Sequence, residues 1–227
     1  MEEISFKIIV ADSSHKKYSE QITQEMENSA KARGTGIAKR SPAYIETKMD
    51  EGKAVIALTS DGTWAGFCYI EAWGHGKFVA NSGLIVSPQF RKYGLARKIK
   101  QEIFKLSRKK YPDSKIFGLT TGAAVMKINS ELGYIPVSYA DLTDDQDFWK
   151  GCQSCVNYEI LMSKNRQNCL CTAMLYDPHA KKNHTEELAL RDDFKKEIKL
   201  FDRWVRLKKF IMLKLTKSKD TVKSLFL

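Results

Sequence analysis

Apolar residues in this chain alternate between the spacing of strands and the spacing of helices, and the switches predict its elements. Residues 4–11 form a short apolar run with Phe, Ile and Val that reads as a first strand. Asp12, Ser13 and Ser14 then supply helix-start chemistry, and 15–31 reads as a helix. Ser41 and Pro42 open a second helix, as N-cap and first-turn residue, that ends near Gly52. Residues 53–58, 64–73 and 78–86 read as three strands, the first two joined by the turn Ser60-Asp61-Gly62. From Gly94 to Lys110 the period lengthens: Leu95, Ile99, Ile103 and Leu106 share one helical face, and Pro112 stops it. A strand at 116–119, a helix at 123–132, a strand at 134–139 and a last strand at 170–176 follow; after Asp141 no single period dominates. The order implies an α/β (α+β) class: a mixed, mostly antiparallel sheet with helices on both faces.

Composition narrows the setting. In 227 residues no apolar run reaches the roughly 20 a membrane span needs. The start of the chain carries two early acids and an apolar stretch broken by Asp12, unlike a signal peptide, so a cytoplasmic protein is expected. The net charge of +11 is uneven: residues 181–227 hold 14 Lys and Arg against 7 Asp and Glu. The division expected is a domain at 1–178 and a basic, amphipathic helical extension at 179–227.

The informative stretch is Gly83-Leu84-Ile85-Val86-Ser87-Pro88-Gln89-Phe90-Arg91-Lys92-Tyr93-Gly94-Leu95-Ala96, where an apolar strand ends and a basic turn enters a long helix. A helix N-terminus presents free amides and about half a positive charge, which favours a phosphate. Gly94 lets the backbone approach a ligand closely, and Arg91 and Lys92 add cations. No Gly-x-x-x-x-Gly-Lys-Ser/Thr loop occurs.

Residues 91–96 resemble the Arg/Gln-x-x-Gly-x-Gly/Ala turn of the GNAT superfamily of N-acetyltransferases. Gly83 to Val86 is similar to the strand that splays from its neighbour in that fold, and the element order agrees over roughly residues 3–140. A closer likeness, carried by residues 33–42, 148–155 and 169–178, is to short bacterial proteins similar to N-acetylglutamate synthase. The resemblance implies acetyl-CoA or another acyl-CoA as co-substrate. The amides of Arg91, Lys92, Tyr93, Gly94, Leu95 and Ala96 would take its pyrophosphate, and the main chain of Leu84, Ile85 and Val86 its pantetheine arm. The implied reaction is attack of an amine on the thioester, which needs a route for the amine proton.

Two positions depart from the family pattern. The Tyr usual four residues before the Gly that ends the last core helix, here Gly133, is Asn129, and the usual Asn near that helix's start is Gly122. Glu71 is the first candidate for base and His75 the second, with Asn81 and Ser82 nearby; a solvated strand-end carboxylate and a plain loop histidine are the bland readings. Tyr134 is a further proton donor or a packing residue. The loop 33–40 falls where the family builds its acceptor site. Its Arg33, Lys39 and Arg40 suit the carboxylates of a small acidic amine such as glutamate, in arginine biosynthesis, or are simply solvated. Other readings are a protein N-terminal or lysine acetyltransferase, and a CoA-binding module without chemistry.

Cys152-x2-Cys155 and Cys169-x-Cys171 read as buried thiols, with a structural metal and redox chemistry as alternatives; no metal is assigned. Cys68 reads as core. In the tail, Leu200, Trp204, Leu207, Ile211 and Leu215 form a stripe that suits packing on its own domain or on a second subunit, leaving a homodimer open, more than membrane contact. No nucleic-acid partner is expected, because no aromatic RNA motif or zinc-finger pattern occurs.

Overall fold

The computed structural model describes residues 4–33 (without the Arg33 side chain), 38–155 and 157–180. The predicted tail stripe, and the extension from 181 onward, lie outside these residues. In chain order the elements are β1 (Phe6–Val10), α1 (Ser19–Arg33), α2 (Pro42–Asp50), β2 (Ala54–Thr59), β3 (Trp64–Trp73) and β4 (Phe78–Val86). There follow α3 (Leu95–Lys110), β5 (Lys115–Thr120), α4 (Ala123–Glu131), β6 (Ile135–Pro136), α5 (Gln146–Lys150), α6 (Tyr158–Ser163) and β7 (Thr172–Tyr176). The strands make one seven-stranded sheet in the order β1-β2-β3-β4-β5-β7-β6. Among the described residues only the β4–β5 pair is parallel.

Both faces of the sheet are covered. On one, Leu95, Ile99 and Ile103 of α3 pack on Val55, Ala65, Cys68, Ile70 and Val79. On the other, Ile22 and Met26 of α1 and Ile45 and Met49 of α2 close over Ile56, Trp64, Phe67 and Tyr69. Alternation along β4 puts Ala80 on this second face, where it meets Phe117, Phe148 and Leu161, so α5 and α6 cover the same side beyond α2. Buried side chains of this size contribute roughly 1.5–3 kcal/mol each, and the sheet is clamped between two such layers.

The expected elements form, with three differences. The first helix starts as a 3-10 turn, Ser13–Tyr18, capped by Asp12, before α1. The strand expected at 134–139 shrinks to β6, because Tyr134 turns into the core and Pro136 has no amide to donate. The strand expected from Leu170 begins at Thr172. The segment after Asp141 holds α5 and α6, too short for a helical period to show. Ser41 caps α2 by accepting from the Tyr44 amide at 3.2 Å, with Pro42 in the first turn, as the sequence predicts.

Candidate active site

β4 and β5 pair over three rungs only, Phe78–Lys115, Val79–Ile116 and Ala80–Phe117. Beyond Ala80 they part, and β5 continues through Gly118, Leu119 and Thr120 bonded to β7 alone. The main chain of β4 from Asn81 to Val86 is therefore an open sheet edge on that side. A bulge sharpens the departure: Phe67 faces Ile85 but Tyr69 faces Ser82, so Gly83 and Leu84 share one rung opposite Cys68. Gly83 has φ +64°, and a Cβ there would lie 2.4 Å from the Tyr69 ring and 2.8 Å from Met26, so this position excludes any side chain.

The open edge leads to the start of α3. Helical bonding begins with the amides of Arg97 and Lys98 on the Gly94 carbonyl, which leaves the first-turn amides directed out of the helix end. Among the described residues no side chain caps this terminus, in contrast to α2. Gly94 has φ +72°, and a Cβ on it would meet nothing within 4 Å, so the backbone faces open space. An uncapped helix end beside a free strand edge fits a pyrophosphate followed by an amide-bearing arm. Arg91 contributes its main chain here: its guanidinium donates to Glu25 Oε1 (2.8 Å), Ser29 Oγ (3.0 Å) and the Val86 carbonyl (3.2 Å), fastening the turn to α1. Lys92 and Tyr93 are exposed, the Tyr93 ring resting against Phe6.

On the α2 face, next to the apex of the gap, lies a polar cluster. Glu71, opposite Ala80, is buried; it accepts from the Tyr44 hydroxyl and pairs with Lys48 Nζ at 3.0 Å. Arg40 Nε donates to the Tyr69 hydroxyl at 3.1 Å, and its guanidinium lies over the Tyr44 ring at 5.1 Å. Burial pushes the Tyr44 and Tyr69 phenols up, so both stay protonated donors. A Cβ on Gly151, just after α5, would stand 3.8 Å from Arg40 Nη2, so the guanidinium spans from α2 to the α5 side. Two cations share one carboxylate here, which leaves net positive charge for an acidic ligand.

The structure thus brings together Arg40, Glu71, Ser82, Leu84, Ile85, Val86 and the turn from Arg91 to Ala96. It separates His75, which is exposed with φ 55° in the β3–β4 turn at the closed end of the gap, where the Gly74 amide donates to Asp145. Lys39 is exposed and faces Glu27 at 3.8 Å, across a cleft of about 340 Å3 between α1 and α2 lined also by Thr23, Gln24 and Arg40. Residues 34–37 and the Arg33 side chain lie outside the described residues.

On the other face of the gap, sequence reasoning named Asn81 and Tyr134 but missed Lys100 and Ser107. There Asn81 is buried, donating to Ser107 Oγ (2.7 Å) and accepting from the Tyr134 hydroxyl (3.1 Å). Lys100 is 2% exposed, its ammonium over the Tyr134 ring at 5.3 Å. One signal was present: Lys100, Phe104 and Ser107 follow helical spacing beside the apolar stripe of α3.

The four paired cysteines are free and half-buried, and Cys68 is buried. Among the described residues no group of three or more His, Cys, Asp or Glu is placed to hold a metal ion, although Cys152, Cys155, Cys169 and Cys171 lie near enough for their thiols to raise one another's pKa. Burial pushes the Cys152 thiol up to about 11 and the Cys171 thiol up to about 12. At pH 7.5 these two are expected to react with iodoacetamide at least tenfold more slowly than free cysteine, as read by mass spectrometry of the peptides; full labelling within minutes would contradict their burial.

No family model and no curated protein matches the chain. Among the described residues no helix is long and apolar enough to cross a membrane. Solved structures do match. N-acetylglutamate synthase from Neisseria gonorrhoeae, complexed with coenzyme A and N-acetyl-glutamate, aligns at TM-score 0.55 and 18% identity over 78% of this chain. The alignment covers 36% of that synthase, so the chain spans about a third of its length. Rv2747 from Mycobacterium tuberculosis, complexed with CoA and NLQ, aligns at TM-score 0.54 and 15% identity, over 75% of this chain and 98% of that one. A GNAT-superfamily phosphinothricin acetyltransferase from Sinorhizobium meliloti, complexed with AcCoA, aligns at TM-score 0.51 and 15% identity, over 79% and 92%. With its splayed fourth and fifth strands and its uncapped third helix, the chain has the fold of the GNAT acetyltransferases.

Proposed function

We propose that this protein is an acyl-CoA-dependent N-acyltransferase that acts on the amine of a small acidic acceptor, with glutamate the first to test and acetyl or succinyl as the acyl group. The observation that carries this reading is the open β4 edge beyond Ala80, running into the uncapped N-terminus of α3. An amide-bearing arm adds to the edge as a strand would, and a pyrophosphate lies against the helix end. Similar structures from Neisseria and Sinorhizobium hold CoA or AcCoA, which supports the same donor here.

The thioester then faces the polar cluster of the α2 side. Arg40 is the side chain suited to an acceptor carboxylate, because one edge of its fork is held by Tyr69 and the other is turned toward Gly151. Glu71 is the group suited to the amine proton, directly or through water, since it sits at the last closed rung and His75 sits beyond it. The complex of the Neisseria synthase with N-acetyl-glutamate favours glutamate as acceptor, and the cationic surroundings of Arg40 disfavour a lysine-rich peptide.

The test is free-thiol release from acetyl-CoA and succinyl-CoA against a panel of amino acids, dipeptides and lysine peptides. Arg40→Ala is expected to raise the KM for the acidic acceptor at least tenfold with a smaller change in kcat. Glu71→Gln is expected to lower kcat by about 10²-fold, in the range of a lost general base, and His75→Ala to leave it near wild type. Tight CoA binding without turnover on any amine would favour a CoA-binding module, and failure to bind CoA would end the acyltransferase reading.

A further inference from the structure

Lys100 is an ammonium group inside the core, and among the described residues no carboxylate neutralises it. The influences on its charge are burial and the Cys68 thiol of β3, and the ring of Tyr134, after α4, lies beneath it. Tyr176 of β7 lies behind Tyr134, with 6.1 Å between the ring centroids. Burial brings the lysine down to about 8, near the roughly 8.5 of an ordinary thiol, so both protonation states are accessible close to neutrality. A stable protein does not retain a buried cation for packing, because an apolar side chain of the same length fills the space without the desolvation penalty.

The position of Lys100 relative to the gap is set by a chain of contacts. Its ammonium covers Tyr134; the Tyr134 hydroxyl donates to Asn81; and Asn81 is the first residue of β4 past the last rung shared with β5. Lys100 is thus one aromatic ring away from the apex of the gap, on the face opposite Glu71 and Arg40. Asn129 borders the same tyrosine through its carbonyl, which accepts from the Tyr134 amide at 3.1 Å. Asn129 is 1% exposed, and among the described residues its Oδ1 has no hydrogen-bond donor. A cation without a counter-ion and an acceptor without a donor therefore both adjoin Tyr134. Tyr134 itself is a poor acid here, since burial pushes its phenol well above the usual range and its proton is committed to Asn81.

We propose that Lys100 gives the proton to the departing CoA sulfur, at the position in the reaction left without a tyrosine by Asn129. This rests on the acyltransferase reading above. As the acceptor nitrogen bonds to the acyl carbon, the carbon–sulfur bond breaks and its electron pair stays on sulfur. A proton passes from Lys100 Nζ past the Tyr134 ring to that sulfur by way of a bridging water, for which Asn129 Oδ1, unpartnered among the described residues, is an acceptor. This gives the free thiol and a neutral lysine, which solvent reprotonates before the next turnover. Lys100 and Glu71 thereby divide the proton traffic between the two faces of the sheet.

The test uses the full chain, with Lys100→Met and Lys100→Arg, and three readouts: calorimetric CoA affinity, ultraviolet absorbance of the bound CoA thiolate against pH, and kcat against pH. The expected results are unchanged CoA affinity in both variants and a titration of the bound thiol that moves by at least one pH unit in Lys100→Met. The kcat of both variants should fall about tenfold to a hundredfold, modest because thiolates leave readily, and the decline of wild-type kcat above pH 8 should disappear. Arginine does not rescue, because it does not release its proton. A bound-thiol titration and a kcat profile identical in wild type and Lys100→Met would overturn the proposal. So would a loss confined to the KM of succinyl-CoA, which would make Lys100 the counter-ion of an acyl carboxylate. Absence of CoA binding to the wild-type chain would instead overturn the acyltransferase reading itself.

Discussion

Lys100→Met should make the protein more stable at pH 7 by about 3 kcal/mol. Burial lowers Lys100 from 10.5 to about 8 in the folded protein. Between those values the unfolded chain binds more protons than the folded one, so wild-type stability rises with pH from about 8 to about 10.5. Below pH 8 the penalty for holding the ammonium in the core is present in full. At about 1.4 kcal/mol for each tenfold in the proton equilibrium, it amounts to about 3 kcal/mol. Methionine has nearly the same length and no charge, so it removes the penalty without opening a cavity. Urea denaturation at pH 7 and at pH 10.5 checks this: the advantage of the variant should be large at the lower pH and nearly absent at the higher. Equal stability at pH 7 would mean that the ammonium is already compensated. The gain in stability and the loss of turnover belong to one substitution, as expected where a group is kept for chemistry at the expense of the fold.

Gly83→Ala is expected to be the most damaging single methyl group that can be added near the gap. The backbone at φ +64° costs an alanine about 1–2 kcal/mol, and its Cβ would have to displace the buried Tyr69 ring and Met26 for roughly 1–3 more. A loss of about 4 kcal/mol is anticipated by urea melting, with turnover lost because the bulge sets where β4 leaves β5. Gly94→Ala supplies the contrast. Its backbone is also left-handed, but its Cβ meets open space, so stability should fall by only about 1 kcal/mol while CoA affinity falls at least tenfold. If both variants lost stability equally, the turn at Gly94 would be a structural device and not a ligand surface.

Much of this was legible along the chain because it is written in local chemistry. Ser41-Pro42 sets an N-cap and a first-turn residue side by side, and Ser60-Asp61-Gly62 turns a hairpin. The run from Gly83 to Ala96 carries strand, bulge glycine, basic turn and helix start within fourteen residues. What the sequence did not disclose depends on partners distant in the chain. Glu71 reads as a strand-end carboxylate until α2 brings Tyr44 and Lys48 across 27 and 23 residues. Arg91 reads as a phosphate cation until α1 brings Glu25 and Ser29 beneath it. Lys100 resembles any lysine on an amphipathic helix, because its burial is set by Tyr134 rather than by its own neighbours. The strand at 134–139 failed for the converse reason: its apolar composition is that of a strand, but Tyr134 is needed in the core and Pro136 has no proton to give the ladder.

The three rungs between β4 and β5 also have a thermodynamic meaning. Among the described residues they are the whole ladder between a four-stranded half of the sheet, β1 to β4, and a three-stranded half, β5, β7 and β6. A ligand bonded along the open edge therefore extends a seam, and part of its binding energy becomes cohesion between the halves. The melting temperature of such a protein is a property of the protein together with its cofactor pool: each tenfold rise in ligand above its dissociation constant adds about 1.4 kcal/mol to the folded state. In a cell, the abundance of the folded protein would track the supply of whatever ligand fills this edge.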